Sequence, residues 1–142
     1  MKTYNIIIVD SKAKYRKDIK EYLEMQFNCS IIAEASNGES FLRLGEIIDR
    51  ADIVLMDIGV IKNAGQLLVQ RLMLQYPKTK IITIVNPEDY YYLVSLMFLN
   101  IREIVYKSMF FSDVIPALKR VLNGETMKRE VTVSEMSSIL FN

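Results

Sequence analysis

The chain has 142 residues, with 18 Lys and Arg against 17 Asp and Glu, 51% hydrophobic residues and 25% charged ones. That length suits one domain, the composition excludes intrinsic disorder, and a formal charge of +1 exerts no overall pull toward nucleic acid or a membrane surface. With no histidine and a single cysteine, Cys29, the chain cannot build a Ser-His-Asp or Cys-His nucleophilic centre, a His-ligated zinc site, a phosphohistidine donor or an internal disulfide framework.

Taken in order, the chain alternates short apolar runs with longer stretches of helical period. Tyr4 to Val9 predicts a first strand; its apolar core Ile6-Ile7-Ile8-Val9 stops at Asp10, too short for a signal peptide. Lys12 to Phe27 follows as a helix, with Tyr15, Ile19, Tyr22 and Leu23 on one face and Asp10 and Ser11 both suited to cap it. Ser30 to Glu34 predicts a second strand and Gly38 to Asp49 a second helix. Ile53 to Met56 is the third strand, Ala64 to Tyr76 the third helix, Lys80 to Val85 the fourth strand and Glu88 to Leu99 the fourth helix. Glu103 to Tyr106 and Ser112 to Asn123 complete the series, with Ser112 as N-cap, Pro116 in the tolerated first turn and Gly124 just past the end.

Strands rich in Ile and Val without polar alternation suit a parallel sheet covered on both faces, so the expected fold is α/β, a (βα)5 unit with right-handed crossovers. From Glu125 to Glu130 the chain is charged, and Val131 to Asn142 mixes Ser and Thr with apolar residues, which suits a linker and a short helix from near Ser134. No run reaches the roughly 18 apolar residues of a membrane helix, so a soluble, cytoplasmic protein is expected, with no membrane partner.

In an open parallel sheet, ligands bind beyond the carboxyl ends of the strands, near the point where strand order reverses. There the chain places Asp10-Ser11 after the first strand, Asp57 after the third and Lys107 after the fifth. Two carboxylates and one cation make a pocket that can hold Mg²⁺ through oxygen ligands, in which a neutralised carboxylate can attack a phosphoryl group. Alone, Asp57 and Lys107 also read as solvated side chains. Ser11 to Arg16 contains no glycine and no Gly-Lys-Ser/Thr loop exists, which sets flavin and nucleotide binding aside.

Ile7-Ile8-Val9-Asp10, Ala35-Ser36-Asn37-Gly38-Glu39, Asp52 to Ile58, Gly65, Lys80-Ile81-Ile82 and Val105-Tyr106-Lys107 together resemble the receiver domain of bacterial response regulators, over residues 3 to 125. The resemblance implies a CheY-like, flavodoxin-like doubly wound sheet of order 2-1-3-4-5. It implies that a sensor histidine kinase donates phosphate to Asp57 and that Lys107 contacts the phosphoryl group. Mg²⁺ is then held by Asp10, Asp57 and the backbone carbonyl of Gly59. It further implies a receiver over residues 1–125, with 126–142 as a linker or short extra helix of LuxR/NarL type. That linker would lead toward a missing output domain, through which alone DNA and transcription would be reached.

Three departures accompany the match. Ser11 stands where the family has a second acid, so its metal contact is weak or absent and Mg²⁺ binds weakly. At the two switch positions, Val85 replaces a Thr or Ser hydroxyl and Ile104 replaces an aromatic ring, with Tyr106 two residues on. Val60-Ile61 replaces Met-Pro after the phosphoacceptor. A ligand without differential contact shifts no equilibrium, so a phosphorylation-independent pseudo-receiver acting as an interaction module stands as the alternative.

Two surfaces invite partners. Lys12, Lys14, Arg16, Lys17 and Lys20 against Asp18 form either an acidic-partner patch or a solvated face. The fourth helix, from Tyr90 to Leu99 with only Ser95 interrupting, has more apolar residues than one face can bury. Tyr91 and Phe98 would point outward, for a homodimer through the fourth helix, fifth strand and fifth helix.

Overall fold

The fold is seen in a computed structural model that describes residues 2–94, 96 and 100–125. Its elements are β1 (Tyr4–Val9), α1 (Ala13–Gln26), β2 (Cys29–Ala35), α2 (Gly38–Leu42), α3 (Glu46–Arg50), β3 (Ile53–Asp57), α4 (Ile58–Ala64), α5 (Gln66–Gln75), β4 (Ile81–Val85), α6 (Tyr90–Val94), β5 (Ile101–Tyr106) and α7 (Phe110–Leu122). Two 3₁₀ turns, Pro87–Asp89 and Lys107–Met109, follow β4 and β5. The strands form one parallel sheet of order β2-β1-β3-β4-β5, the doubly wound α/β arrangement expected.

Side chains alternate between the two faces of each strand, and helices cover both faces, which is why the strand sequences do not alternate in polarity. Ile7, Val9, Val54, Met56, Ile81 and Val85 pack toward Phe41, Ile48, Leu68 and Leu72 on one side. Ile6, Ile8, Ile53, Leu55, Ile82, Ile84 and Val105 pack toward Ile19 and Leu23 of α1 and Val114, Leu118 and Val121 of α7 on the other. Buried Glu103 of β5 accepts from Arg120 of α7, so α7 is held by an ion pair as well as by its apolar stripe.

Thr83 is the one polar residue in the middle of β4. Its side chain is wholly buried, and its hydroxyl has no hydrogen-bond partner among the described residues. Valine has the same shape without the orphaned hydroxyl, so Thr83→Val should raise stability by about 1 kcal/mol in urea unfolding; a loss of stability would mean that the hydroxyl is satisfied.

Several helices differ from the sequence reading. The span from Gly38 to Asp49 is two short helices, because Gly45 turns the chain at φ +56 between them. Similarly Gly65, at φ +64, separates α4 from α5, so the third helix begins at Gln66 and an unanticipated helix directly follows Asp57. Both conformations lie in the left-handed region, where a Cβ is strained. α7 starts at Phe110 with Met109 in the N-cap position, not at Ser112. The Ser112 hydroxyl instead donates to the Met109 carbonyl at 3.0 Å, and Pro116 lies inside the helix beyond its first turn.

The fourth helix is described only as the 3₁₀ turn and α6; Ser95 and Phe98 lie outside the described residues, as does everything from 126 to 142. Gly124 ends α7 as expected, its N–H donating to Val121 at 3.0 Å.

Candidate functional site

The sheet register builds the site. Val9 lies opposite Met56 and Asp57 opposite Ile84, so the residues that leave β1 and β3 emerge side by side at one rim. Val85 lies opposite Tyr106, which brings Lys107 to the same rim from β5. By alternation, position 10 follows Ile6 and Ile8, position 57 follows Ile53 and Leu55, and position 107 follows Val105, all on the α1/α7 side of the sheet.

Lys107 Nζ stands 3.3 Å from Asp57 Oδ1, and Asp57 Oδ2 accepts from the Gly59 N–H at 2.9 Å. The same carboxylate is the N-cap of α4, so the backbone after β3 orients it. Asp57 is 9% exposed and Asp10 3%. Tyr15 of α1 presents its ring 5.3 Å from Lys107 Nζ, a cation–π contact that helps to hold the ammonium.

Asp10 accepts from the Lys12 N–H at 2.8 Å through Oδ1. Burial, and then the Asp57 carboxylate, push the Asp10 carboxyl above its ordinary value, against the opposing pull of the Lys12 N–H, Lys107 and Arg16. The native state therefore holds the Asp10 proton more tightly than the unfolded chain does. The stability that this one carboxyl contributes is fullest below the ordinary carboxylate range and is lost as pH rises through the raised native value. An amide at this position keeps the oxygen that accepts from Lys12 and carries no charge. Asp10→Asn should thus be more stable than wild type at pH 7, by about 1 kcal/mol or about 4 °C in Tm, with the gap closing toward pH 3; calorimetry across that range is the check.

The other anticipated residues are placed as follows. Ser11 is exposed and does not cap α1; Lys12 occupies the N-cap position with no side-chain cap bond. Val85 is 1% exposed and Ile104 half-buried; both pack on the opposite side of the sheet from Asp57, with Tyr106 beside them. Tyr91 is 53% exposed on α6. The basic residues of α1 are mostly exposed, but half-buried Arg16 donates to the Asp10 carbonyl at 2.6 Å and to Glu34 at 3.3 Å.

Sequence reading missed an ion pair beside this rim, Lys62 of α4 with Asp89 of the turn after β4. Asp89 is 4% exposed, and its second oxygen accepts from the Asn86 N–H at 2.9 Å. The Asn86-Pro87-Glu88-Asp89 pattern, a helix-start signature, was the available signal for Asp89. Lys62 had none.

The donor set suits a hard dication of modest affinity. Asp10 and Asp57 are buried together at the rim, the nearby Asp89 is engaged by Lys62, and no group of three or more potential metal-ligating side chains occurs among the described residues. Mg²⁺ is commonly bound through one or two carboxylates plus water and phosphate oxygens, which Asp10 and Asp57 can satisfy.

A five-stranded 2-1-3-4-5 sheet with two acids and a lysine at its carboxyl rim defines the CheY-like class of signalling domain. A family model described as the response regulator receiver domain matches residues 6–119. The chain belongs to that family, the receiver domains of two-component response regulators.

The transcriptional regulatory protein DegU of Brevibacillus brevis is 27% identical over 84% of this chain and 50% of its own length. The oxygen regulatory protein NreC of Staphylococcus aureus is 24% identical over 96% of this chain and 64% of its own. The chain thus spans between half and two thirds of these curated relatives. Among solved structures, the isolated receiver domain of RcsB from Salmonella enterica serovar Typhimurium in the apo form superposes with a TM-score of 0.78 at 21% identity, over 96% of this chain and 99% of that one. RcsB dimers bound to DNA superpose with a TM-score of 0.76 at 20% identity, covering 97% of this chain and 69% of that one. No helix among the described residues is long and apolar enough to cross a membrane.

Proposed function

We propose that this receiver accepts a phosphoryl group on Asp57 from a sensor histidine kinase and acts in the control of transcription. The observation that supports it most is the Lys107–Asp57 pair at 3.3 Å, in which a half-exposed lysine meets a buried carboxylate beside a second buried acid. The chain has no histidine, so a phosphohistidine must come from a partner. In the transfer an Asp57 oxygen forms a bond to phosphorus as the phosphorus–nitrogen bond to the donor imidazole breaks; the imidazole keeps the electron pair and takes a proton. Lys107 offsets the charge on the phosphoryl oxygens throughout. Water returns the acyl phosphate to carboxylate and phosphate.

Asp10, Asp57 and the Gly59 carbonyl would hold Mg²⁺, which would supply further neutralisation of the phosphoryl oxygens. Ser11 in place of a second acid weakens that binding. The catalysis is limited to this self-modification. Residues 126–142 would join the receiver, 1–125, to an output domain that contacts DNA, as the regulatory relatives and the RcsB–DNA complex suggest. A homodimer would form through α6, β5 and α7, using Tyr91 and Phe98.

Val85 and Ile104 favour a second reading, a pseudo-receiver that dimerises whatever its phosphorylation state, because neither offers a polar contact to a phosphoryl group. One experiment separates the two. The chain is treated with a small phosphoramidate and Mg²⁺, and intact mass and sedimentation are followed together. A mass gain of one phosphoryl group supports the first reading. Dimers with no mass gain, which dissociate on Phe98→Glu, support the second; monomers throughout remove the interface.

A further inference from the structure

The Tyr15 ring carries two ammonium groups, and one of them has no part in the site described above. Lys107 Nζ lies 5.3 Å from the ring centroid and Lys12 Nζ 5.0 Å. Lys12 and Tyr15 stand three residues apart at the start of α1, the spacing of neighbours on a helix surface, whereas Lys107 reaches the same ring from the turn after β5. Lys107 also meets Asp57 Oδ1 at 3.3 Å; Lys12 has the ring as its contact and no acidic partner among the described residues. The Lys12 backbone is fixed at the rim, because its N–H donates to Asp10 Oδ1 at 2.8 Å.

The charge balance of the rim is tilted as a result. Asp10 and Asp57 are buried carboxylates, but the adjoining position 11 is an exposed serine, and Arg16 is engaged by Glu34 and the Asp10 carbonyl. Lys12 adds a cation beside them. A rim with one negative charge fewer and one positive charge more attracts a dication less and an anion more. We propose that Lys12, held beside Lys107 by the Tyr15 ring, brings to the phosphoryl oxygens the second positive charge that a metal ion would otherwise supply, so that phosphoryl transfer to this chain proceeds without Mg²⁺. The inference rests on Asp57 being the phosphoacceptor.

The chemistry needs no further group. In transfer from phosphoramidate, whose nitrogen is already protonated, an Asp57 oxygen forms its bond to phosphorus as the phosphorus–nitrogen bond breaks, and ammonia leaves with the electron pair. The negative charge left on the phosphoryl oxygens then has to be offset at the rim. A lysine ammonium on its flexible stem exchanges an exposed ring face for a phosphoryl oxygen readily, because the charge-assisted hydrogen bond is the stronger contact. Lys107 and Lys12 face different oxygens of the same group. Tyr15 is the positioning residue: it keeps both ammoniums beside the reacting carboxylate before transfer, which lowers the cost of ordering them during it.

The rate of mass gain from phosphoramidate, measured in EDTA and in saturating Mg²⁺, tests this in the intact chain. Wild type should gain one phosphoryl group in both. Lys12→Gln should slow about tenfold in EDTA but under about twofold in saturating Mg²⁺, where the metal replaces the missing charge, and Lys12→Arg should rescue it. Tyr15→Leu should show the same split, and Tyr15→Phe, which keeps the ring face, should rescue it. Mg²⁺ binding, followed by backbone amide shifts at residues 57–59, gives a readout apart from the reaction: it should tighten about threefold in Lys12→Gln, because a cation has left the rim. A merely structural role for Lys12 would slow both rates alike and leave Mg²⁺ binding no tighter, and that result overturns the proposal. Wild type that reacts only with Mg²⁺, or Lys12→Gln that matches it in EDTA, also overturns the proposal while leaving the phosphoacceptor in place; no mass gain in either condition overturns both.

Discussion

Asp57→Asn should abolish phosphoryl incorporation from a small phosphodonor while leaving the domain folded. The neutral amide oxygen is a far weaker nucleophile toward phosphorus than a carboxylate, and attack through it would create an unstable cationic O-phosphorylated imidate. The loss is therefore expected to be complete within detection, below about 1% of wild type, rather than the partial loss that follows removal of one stabilising donor. The fold should survive, because the asparagine oxygen can still accept from the Gly59 N–H that now donates to Oδ2 at 2.9 Å. Lys107 loses its partner, but with its side chain 34% exposed it can be hydrated and keeps the Tyr15 ring. Intact mass after donor treatment is the measurement, with Tm as the control. Undiminished mass gain in the variant would place the phosphoryl group on another side chain and end the present assignment.

The second large effect is structural. Among the described residues Phe41 is the largest wholly buried side chain, set on the five-residue helix α2 and packed in the cluster with Val9, Val54, Ile48 and Leu68. A helix that short has no independent stability. Two things hold it in place: the Asn37–Ser40 capping box, in which Asn37 accepts from the Ser40 N–H at 2.7 Å, and the Phe41 ring. Phe41→Ala removes the ring and leaves a cavity that the surrounding sheet cannot close, at a cost of about 3–5 kcal/mol. Domains of this size are stable by about 5–15 kcal/mol in all, so the variant should sit near the edge of folding. The midpoint of urea unfolding reads this directly. A cost under about 1 kcal/mol would mean that α2 is not docked as described.

The parts of the fold that were legible in the sequence share a physical cause. Ile6-Ile7-Ile8-Val9 and Ile53-Val54-Leu55-Met56 are apolar at every position because both faces of the sheet are covered, and a run of that kind bounded by an acid announces a buried parallel strand. The helix boundaries were harder. Gly45 and Gly65 sit inside stretches with good helical periodicity, and glycine in a helix interior costs only about 1 kcal/mol, so composition does not reveal that each turns the chain at positive φ. Ser112 is a better cap than Met109 by intrinsic preference, yet the docking of Phe110 among Val114, Leu118 and the β5 side chains starts the helix two residues earlier.

The sequence by itself determined which residues lie at the strand ends, and so put Asp10, Asp57 and Lys107 forward as one group, because a parallel sheet delivers every strand end to the same rim. It also put hydrocarbon side chains, Val85 and Ile104, at the end of β4 and within β5. Tertiary structure alone decided the distances and partners: Lys107 between Asp57 and Tyr15, Arg16 on the Asp10 carbonyl, and Lys62 on Asp89 across 27 residues of chain. A long charged side chain carries no periodic signature of its partner. Which opposite charge it meets depends on how neighbouring loops pack and on how little water remains between them, and neither is written in local sequence.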